Sequence, residues 1–305
     1  MIIVENLGKY YDNIKAVDNI SFEVKKGEVV GFLGPNGAGK TTTMKMLTSF
    51  ITPSFGTASI CGYSIIDDSI SVRKNIGYLP ETTAAYSEMR VSESLDFVAQ
   101  IRGFDKRVRL KKIESVVDIT NLGSVFNQEI ETLSKGYKCR LGLAQAILSD
   151  PPVLILDEPT DGLDPNQKQE VRTLIRKLSI DKAIIISTHI LEEVESICSR
   201  AIIISKGKIA ADSTPEKLRQ QSSYAGAVDV TYRTGQVGIS EILNRLKGVS
   251  HFEQLNNERY ILFPKPGVSL LDEVISVSTN NGLTIMDISI DKGRLDQVFY
   301  AITNK

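Results

Sequence analysis

The sequence predicts an α/β fold with a smaller α+β domain on its C-terminal side, and three observations predict it. The stretch Gly34 to Thr42, Gly-Pro-Asn-Gly-Ala-Gly-Lys-Thr-Thr, matches a phosphate-binding loop, in which two glycines separated by four residues precede Lys and Thr. Unbroken apolar runs at Val29–Leu33, Val153–Leu156 and Ala183–Ile186 read as strands buried on both faces of a parallel sheet. After about Gln220 the order becomes strand, helix, strand, strand, helix, strand, the split βαβ arrangement of a ferredoxin-like domain.

Taken in order, Ile2–Val4 and Ile20–Val24 read as short strands separated by the polar stretch Gly8–Asn13, and the turn Lys25–Glu28 leads into Val29–Leu33. Tyr11 lies on that stretch. Its ring can stack on adenine or pack on its neighbours, and the local sequence alone points to packing. Thr41–Ile51 reads as a helix with an apolar face at Met44, Leu47 and Ile51, so the glycine loop joins a strand to a helix. Glycines let the backbone curl until successive N–H groups point inward, and the helix N-terminus adds partial positive charge. A triphosphate fits such a cradle, with Lys40 reaching the β- and γ-phosphates and the Thr41 hydroxyl holding Mg²⁺.

From Val91 to about Ser149 the pattern is helical. Ser92–Val98 opens as a capped helix, and Lys106–Val117 is amphipathic, with Lys106, Arg107, Arg109, Lys111 and Lys112 on a solvated face. Lys138–Leu148 carries Leu141, Ala144, Gln145 and Leu148 at helical spacing and follows Leu133-Ser134-Lys135-Gly136-Tyr137. The run Val153–Leu156 ends in Asp157 and Glu158, and open α/β sheets bind their ligands at such strand ends. Asp157 can serve Mg²⁺ there, and Glu158 can take a proton from an attacking water. Ala183–Ser187 leads to Thr188-His189. A lone histidine is ordinarily a structural hydrogen-bonder, but this strand-end place ties His189 to the same site. Ala201–Ser205 with the turn Lys206–Ile209 forms a hairpin.

The C-terminal part reads as strand Ala227–Tyr232, helix Ser240–Leu246, strands Val249–Gln254 and Arg259–Pro264, helix Leu270–Asn280, strand Leu283–Asp291 and a helix from Leu295. His251 within it reads as structural.

Composition sets limits. A chain of 305 residues exceeds one typical domain, and 42% hydrophobic with 24% charged residues is a globular balance. The net charge of -1 gives no electrostatic footprint for nucleic acid or anionic lipid. Cys61, Cys139 and Cys198 are too few and too scattered for a disulfide framework or a zinc site. No apolar run approaches the ~20 residues that span a bilayer, and the start Met-Ile-Ile-Val-Glu lacks signal-peptide character. The expected place is the cytoplasm, with any membrane role exercised through a partner.

In this order the pieces resemble the ATP-binding subunit of an ABC transporter over about Met1 to Arg219. The element most specific to that family is its LSGGQ signature, to which Leu133-Ser134-Lys135-Gly136-Tyr137 corresponds. Asp157-Glu158 ends its second nucleotide motif, Asp161-Gly162-Leu163-Asp164 resembles its aspartate loop, and Thr188-His189 its switch histidine. The resemblance implies a P-loop ABC ATPase core at 1–220 with an antiparallel β subdomain and a helical subdomain at about 82–150, followed by the accessory domain at 221–305. It implies nucleotide contacts from Tyr11, Val17, Gly34, Asn36, Gly37, Ala38, Gly39, Lys40, Thr41 and Thr42, and so favours adenine stacking for Tyr11. It implies metal contacts from Thr41, Glu81 and Asp157, a general base in Glu158, and a phosphate-positioning role for His189. Ser134 and Gly136 would touch the γ-phosphate held by a second subunit. Two departures stand out: Lys135 and Tyr137 replace the Gly and Gln of the signature, and Glu81 replaces the coupling glutamine in Ile76–Glu81.

At a finer level Gly77–Glu81, the Leu-Ser-Lys-Gly-Tyr signature, the small C-terminal domain and Arg294–Phe299 resemble ATPases of the ABC-2 export type, above all the gliding-motility group. That implies ATP and Mg²⁺ as cofactors, and a transmembrane permease subunit and a second ABC subunit as partners. It also implies a peripheral position on the cytoplasmic face of the cell membrane. The rival readings are a soluble ABC ATPase acting on nucleic acid or the ribosome and a non-hydrolysing regulatory partner. The first lacks the coiled-coil insertions, cysteine clusters or paired cassettes of such proteins, so no nucleic-acid partner is expected. Against the second, Glu158 and His189 are both present.

Overall fold

The structure is a computed structural model that describes residues 1–82 and 86–304. They form two compact units, Met1–Ser213 and Thr214–Lys305.

The first unit opens with the antiparallel strands β1 (Ile2–Tyr11) and β2 (Ile14–Val24). The stretch Gly8–Asn13, read from sequence as a connection, is mostly strand, and Asp12 and Asn13 alone make the turn. The register between β1 and β2 shifts after Val4, Leu7 and Lys9, and such bulges break the period-two alternation that reveals a strand. β3 (Val29–Leu33) and α1 (Lys40–Leu47) flank the glycine loop. α1 stops short of Ile51 because the Thr48 hydroxyl donates to the carbonyl of Met44 and Ser49 turns left-handed at φ 54°. β4 (Phe55–Ile60), β5 (Tyr63–Ser64), α2 (Ser69–Lys74) and β6 (Ile76–Leu79) follow.

The helical region holds α3 (Val91–Ile101), α4 (Lys106–Thr120) and α5 (Lys135–Ile147). The cap of α3 is the Glu93 carboxylate, which accepts from the Arg90 N–H at 2.9 Å. Asp105 caps α4 through the N–H groups of Arg107 and Val108. β7 (Val153–Asp157), α6 (Pro165–Ser179), β8 (Ala183–Thr188), α7 (Leu191–Ile197), β9 (Arg200–Ser205) and β10 (Lys208–Ser213) complete the unit. The β9–β10 turn is Lys206-Gly207, both at positive φ, as a two-residue hairpin requires.

One sheet has the order β2-β1-β4-β5 and the other β10-β9-β3-β8-β7-β6. In the second, β9, β3, β8, β7 and β6 are parallel, and every residue of β3, β7 and β8 is buried. That double-sided burial is why these strands read as unbroken apolar runs. Ile2, Leu7 and Ile20 of the antiparallel sheet share one core with Phe32, Ile155 and Ile185 of the parallel sheet and Met44 of α1.

The second unit begins with α8 (Pro215–Arg219), which sequence placed in the first domain and which packs on the final helix. Then come β11 (Val228–Tyr232), α9 (Ile239–Leu243), β12 (Val249–Gln254), β13 (Arg259–Pro264), α10 (Leu271–Asn280), β14 (Ile285–Ile290) and α11 (Leu295–Thr303). Their sheet is antiparallel throughout, in the order β12-β13-β11-β14. Val228, Val230, Tyr232, Tyr260 and Leu262 pack with Leu243 and Val274. His251 stacks on the ring of Phe263 at 4.2 Å, a packing contact. No helix among the described residues is long and apolar enough to cross a membrane.

Tyr232 is 1% exposed, and its hydroxyl lies 2.9 Å from that of Ser278, itself buried on α10. Tyr232→Phe orphans the serine hydroxyl, at a cost of about 1–2 kcal/mol to the second unit. Urea unfolding followed by circular dichroism checks this, and an unchanged midpoint would mean that the pair does not hold α10 to the sheet.

Candidate functional site

β3 delivers the chain to Gly34, whose N–H donates to the Thr188 carbonyl at the end of β8. At the other end of the loop Gly39 has φ +107°, and a Cβ there would lie 2.4 Å from the carbonyl oxygen of Ala16. Only glycine satisfies both constraints. Lys40, 6% exposed, opens α1, and its Nζ donates to the carbonyls of Gly34 at 2.7 Å and Pro35 at 3.3 Å. The same ammonium stands 3.7 Å from Oε1 of Glu158.

Glu158 follows the last residue of β7 in the left-handed region, at φ 50°. A non-glycine residue held there costs on the order of 1–3 kcal/mol unless its surroundings enforce it. Two backbone bonds do so: its N–H donates to Ser187, and its carbonyl accepts from the N–H of Asp161. The turn swings the carboxylate back over the loop, where Oε2 lies 2.9 Å from Nδ1 of His189. Asp157 is 1% exposed. Its Oδ1 accepts from the Ser187 hydroxyl, and its Oδ2 has no hydrogen-bond partner among the described residues.

Tyr11, Asn36, Gly37, Gly39, Lys40, Thr41, Thr42, Glu81, Glu158 and His189 line one cleft of about 730 Å³, together with Ala16 and Asp161. Asp157 lines an adjoining hollow shared with Glu81, Glu158 and Asp161. Gly34 and Ala38 do not line the cleft. They shape the loop, Ala38 through its carbonyl, which accepts from Gly207. Val17 is fully buried beneath Gly39, and Ala16 forms the wall in its place. Asp161, read from sequence as the start of an aspartate loop but not as a nucleotide contact, also lines the cleft.

The signature lies at the start of α5, where the Ser134 hydroxyl caps the helix by accepting from the N–H of Tyr137. Ser134 and Gly136 line neither the cleft nor its neighbour. A Cβ on Gly136 would lie 2.5 Å from the side chain of Gln167 on α6, so the residue type is fixed by close packing. Both replaced residues of the signature make contacts. Lys135 Nζ reaches Oδ2 of Asp161 at 3.0 Å, and the Tyr137 ring lies under the guanidinium of Arg140 at 5.4 Å. The Cys139 thiol donates to the Pro159 carbonyl at 2.9 Å, and burial pushes its pKa up to about 11, so it is inert packing.

A family model described as ABC transporter matches residues 17–161. The uncharacterized ABC transporter ATP-binding protein YxlF of Bacillus subtilis (strain 168) is 40% identical over 221 residues, covering 72% of this chain and 73% of that protein. The daunorubicin resistance ATP-binding protein DrrA3 of Streptomyces coeruleorubidus is 28% identical over 306 residues, covering 99% of this chain and 95% of that protein. A solved structure of an ATP binding subunit of an ABC transporter superposes with a TM-score of 0.66 at 30% identity, covering 72% of this chain and 92% of its own. With a relative 40% identical over most of both chains, the chain belongs to the ATP-binding subunits of the ABC transporter family.

Proposed function

We propose that this subunit binds and hydrolyses Mg²⁺-ATP in the cleft around Lys40, and that hydrolysis powers export by a separate permease. On this reading it is of the ABC-2 export type, closest to the gliding-motility group, and works on the cytoplasmic face of the membrane paired with a copy of itself or a relative. The observation that carries the reading is the convergence on the Glu158 carboxylate of the Lys40 ammonium, at 3.7 Å, and the His189 ring, at 2.9 Å, at the mouth of the phosphate loop. Support for export comes from the near full-length match to a drug-resistance ATP-binding protein, which extends through the accessory domain.

The roles follow from the geometry. Loop N–H groups and the start of α1 receive the phosphates, and the Lys40 ammonium exchanges its carbonyl partners for β- and γ-phosphate oxygens. Tyr11 lines the cleft and is 45% exposed as a residue, which leaves it open to an adenine stacking on its ring. The Thr41 hydroxyl, the unpartnered Oδ2 of Asp157 and the Glu81 carboxylate form an all-oxygen donor set, which suits a hard cation held by one or two carboxylates beside phosphate. When bound, Mg²⁺ supplies charge neutralisation at the β- and γ-phosphate oxygens. Glu158 takes the proton of the attacking water, while His189 fixes that carboxylate and positions the γ-phosphate. Because Ser134 and Gly136 lie outside the chain's own cleft, their phosphate contact belongs to the nucleotide of a second subunit.

Two measurements test this. Glu158→Gln keeps the shape of the site but loses the base, so ATP hydrolysis should fall by about 100-fold or more while size exclusion with light scattering shows an ATP-dependent dimer. Wild-type turnover in that variant would remove Glu158 from the role, and a monomer under saturating Mg²⁺-ATP would make a different second subunit the partner. Lys40→Ala should weaken binding of a fluorescent ATP analogue by about tenfold or more. Unaltered affinity would count against the whole site.

A further inference from the structure

We infer that Glu193, on α7, is a positioning residue for the histidine turn, clamping Thr188 so that His189 is held against Glu158. The inference rests on His189 acting in the cleft as proposed above.

The turn between β8 and α7 is built around one hydroxyl. Thr188 is fully buried, and its Oγ1 donates to Oε2 of Glu193 at 2.7 Å while accepting from the N–H of Ile190 at 3.0 Å. A threonine hydroxyl has one proton, so donating it to the carboxyl leaves its lone pairs free for the Ile190 N–H. Glu193 thereby sets the direction of the bond that ties the two neighbours of His189 together. The N–H of Glu193 also donates to the Ile190 carbonyl, which closes the turn from the other side. The backbone of Thr188 is fixed in turn by the phosphate loop, since its carbonyl accepts from Gly34 and its Cα pairs with Leu33 of β3. One residue thus joins the start of the loop to the histidine, and the carboxyl beneath it holds that residue's side chain in place.

This carboxyl is costly. Glu193 is 1% exposed, and its Oε1 has no partner among the described residues. Arg172, the nearby cation, bonds to Glu192 at 2.8 Å. Burial is the main cause that raises the Glu193 pKa; the Thr188 hydrogen bond and the charge of Arg172 pull it back only in part, and the charge of Glu158 adds to the rise. An apolar side chain at the start of a short amphipathic helix would pack without that penalty. A buried acid with one used and one orphaned oxygen is explained by the bond it makes to Thr188.

Three single variants, one double variant and one control test the assignment by steady-state ATP hydrolysis on the full chain. Glu193→Leu removes the acceptor, Glu193→Gln keeps a carbonyl oxygen for Thr188, and Thr188→Val removes the hydroxyl at nearly constant shape. Glu193→Leu and Thr188→Val should lower kcat by about tenfold or more with the KM for ATP changed less than about twofold, and Glu193→Gln should stay within about threefold of wild type. The double variant Thr188→Val with Glu193→Leu should be no slower than the slower single variant, because both remove one bond. His189→Ala is measured alongside. A slow His189→Ala beside a wild-type Glu193→Leu and Thr188→Val overturns this inference alone, as does a Glu193→Gln as slow as Glu193→Leu. A His189→Ala that turns over normally removes the group being positioned, and the inference with it. Should Glu193→Leu fail to fold, the kcat and KM of Thr188→Val decide the matter.

Discussion

The register of three parallel strands is the constraint on which the rest of the site depends. β3 pairs with β8 so that Leu33 stands opposite Thr188, and β8 pairs with β7 so that Ser187 stands opposite Asp157. These pairings bring the ends of the three strands level. The phosphate loop leaves one strand, the two acids leave the second and the histidine leaves the third, all on the same edge. Side chains alternate along a strand, so a slip of one residue would turn Asp157 or Thr188 to the other face and dissolve the site. What prevents it is burial on both faces of β3, β7 and β8, which leaves no solvent-facing side for a slipped register to exploit.

Much of this was legible before the fold. Unbroken apolar runs ending in Gly34, in Asp157-Glu158 and in Thr188-His189 disclosed three buried strands and the residues brought together at their ends. The order of elements after residue 220 disclosed the second sheet, whose strands pair as β12-β13-β11-β14. Illegible were features fixed by tertiary contact. The continuation of β1 through Tyr11 was hidden by bulges, and the burial of Val17 by the close approach of Gly39 to Ala16. The left-handed turn at Glu158 has no signature of its own, because glutamate is not a residue that seeks positive φ. Its cause is the pair of backbone bonds to Ser187 and Asp161, which no local pattern reports.

The departures in the signature also acquire a physical meaning. A glycine at position 135 would leave the start of α5 free of the aspartate loop, whereas Lys135 spans to Asp161, a residue that lines the cleft. The pair is half exposed, and such pairs contribute about 0–1 kcal/mol, so it is a contact that forms and breaks readily. It places the outward-facing signature one side chain away from the chain's own nucleotide cleft.

The polar atoms left unsatisfied around the site argue for the same division of labour. Asp157 Oδ2, Thr160 Oγ1 and Glu193 Oε1 are buried without partners among the described residues, and all three follow or end the strands β7 and β8. Along β3, β7 and β8 themselves every residue is buried, and up to their last residues the side chains are almost all apolar. Ser149 Oγ, before the start of β7, is also buried without a partner among the described residues, but the other three oxygens lie on the C-terminal side of β7 and β8, each costing on the order of 1–3 kcal/mol. A rigid apolar sheet can carry that cost at its rim, and on the function proposed above the rim is where oxygens serve a cation, a water and a moving phosphate.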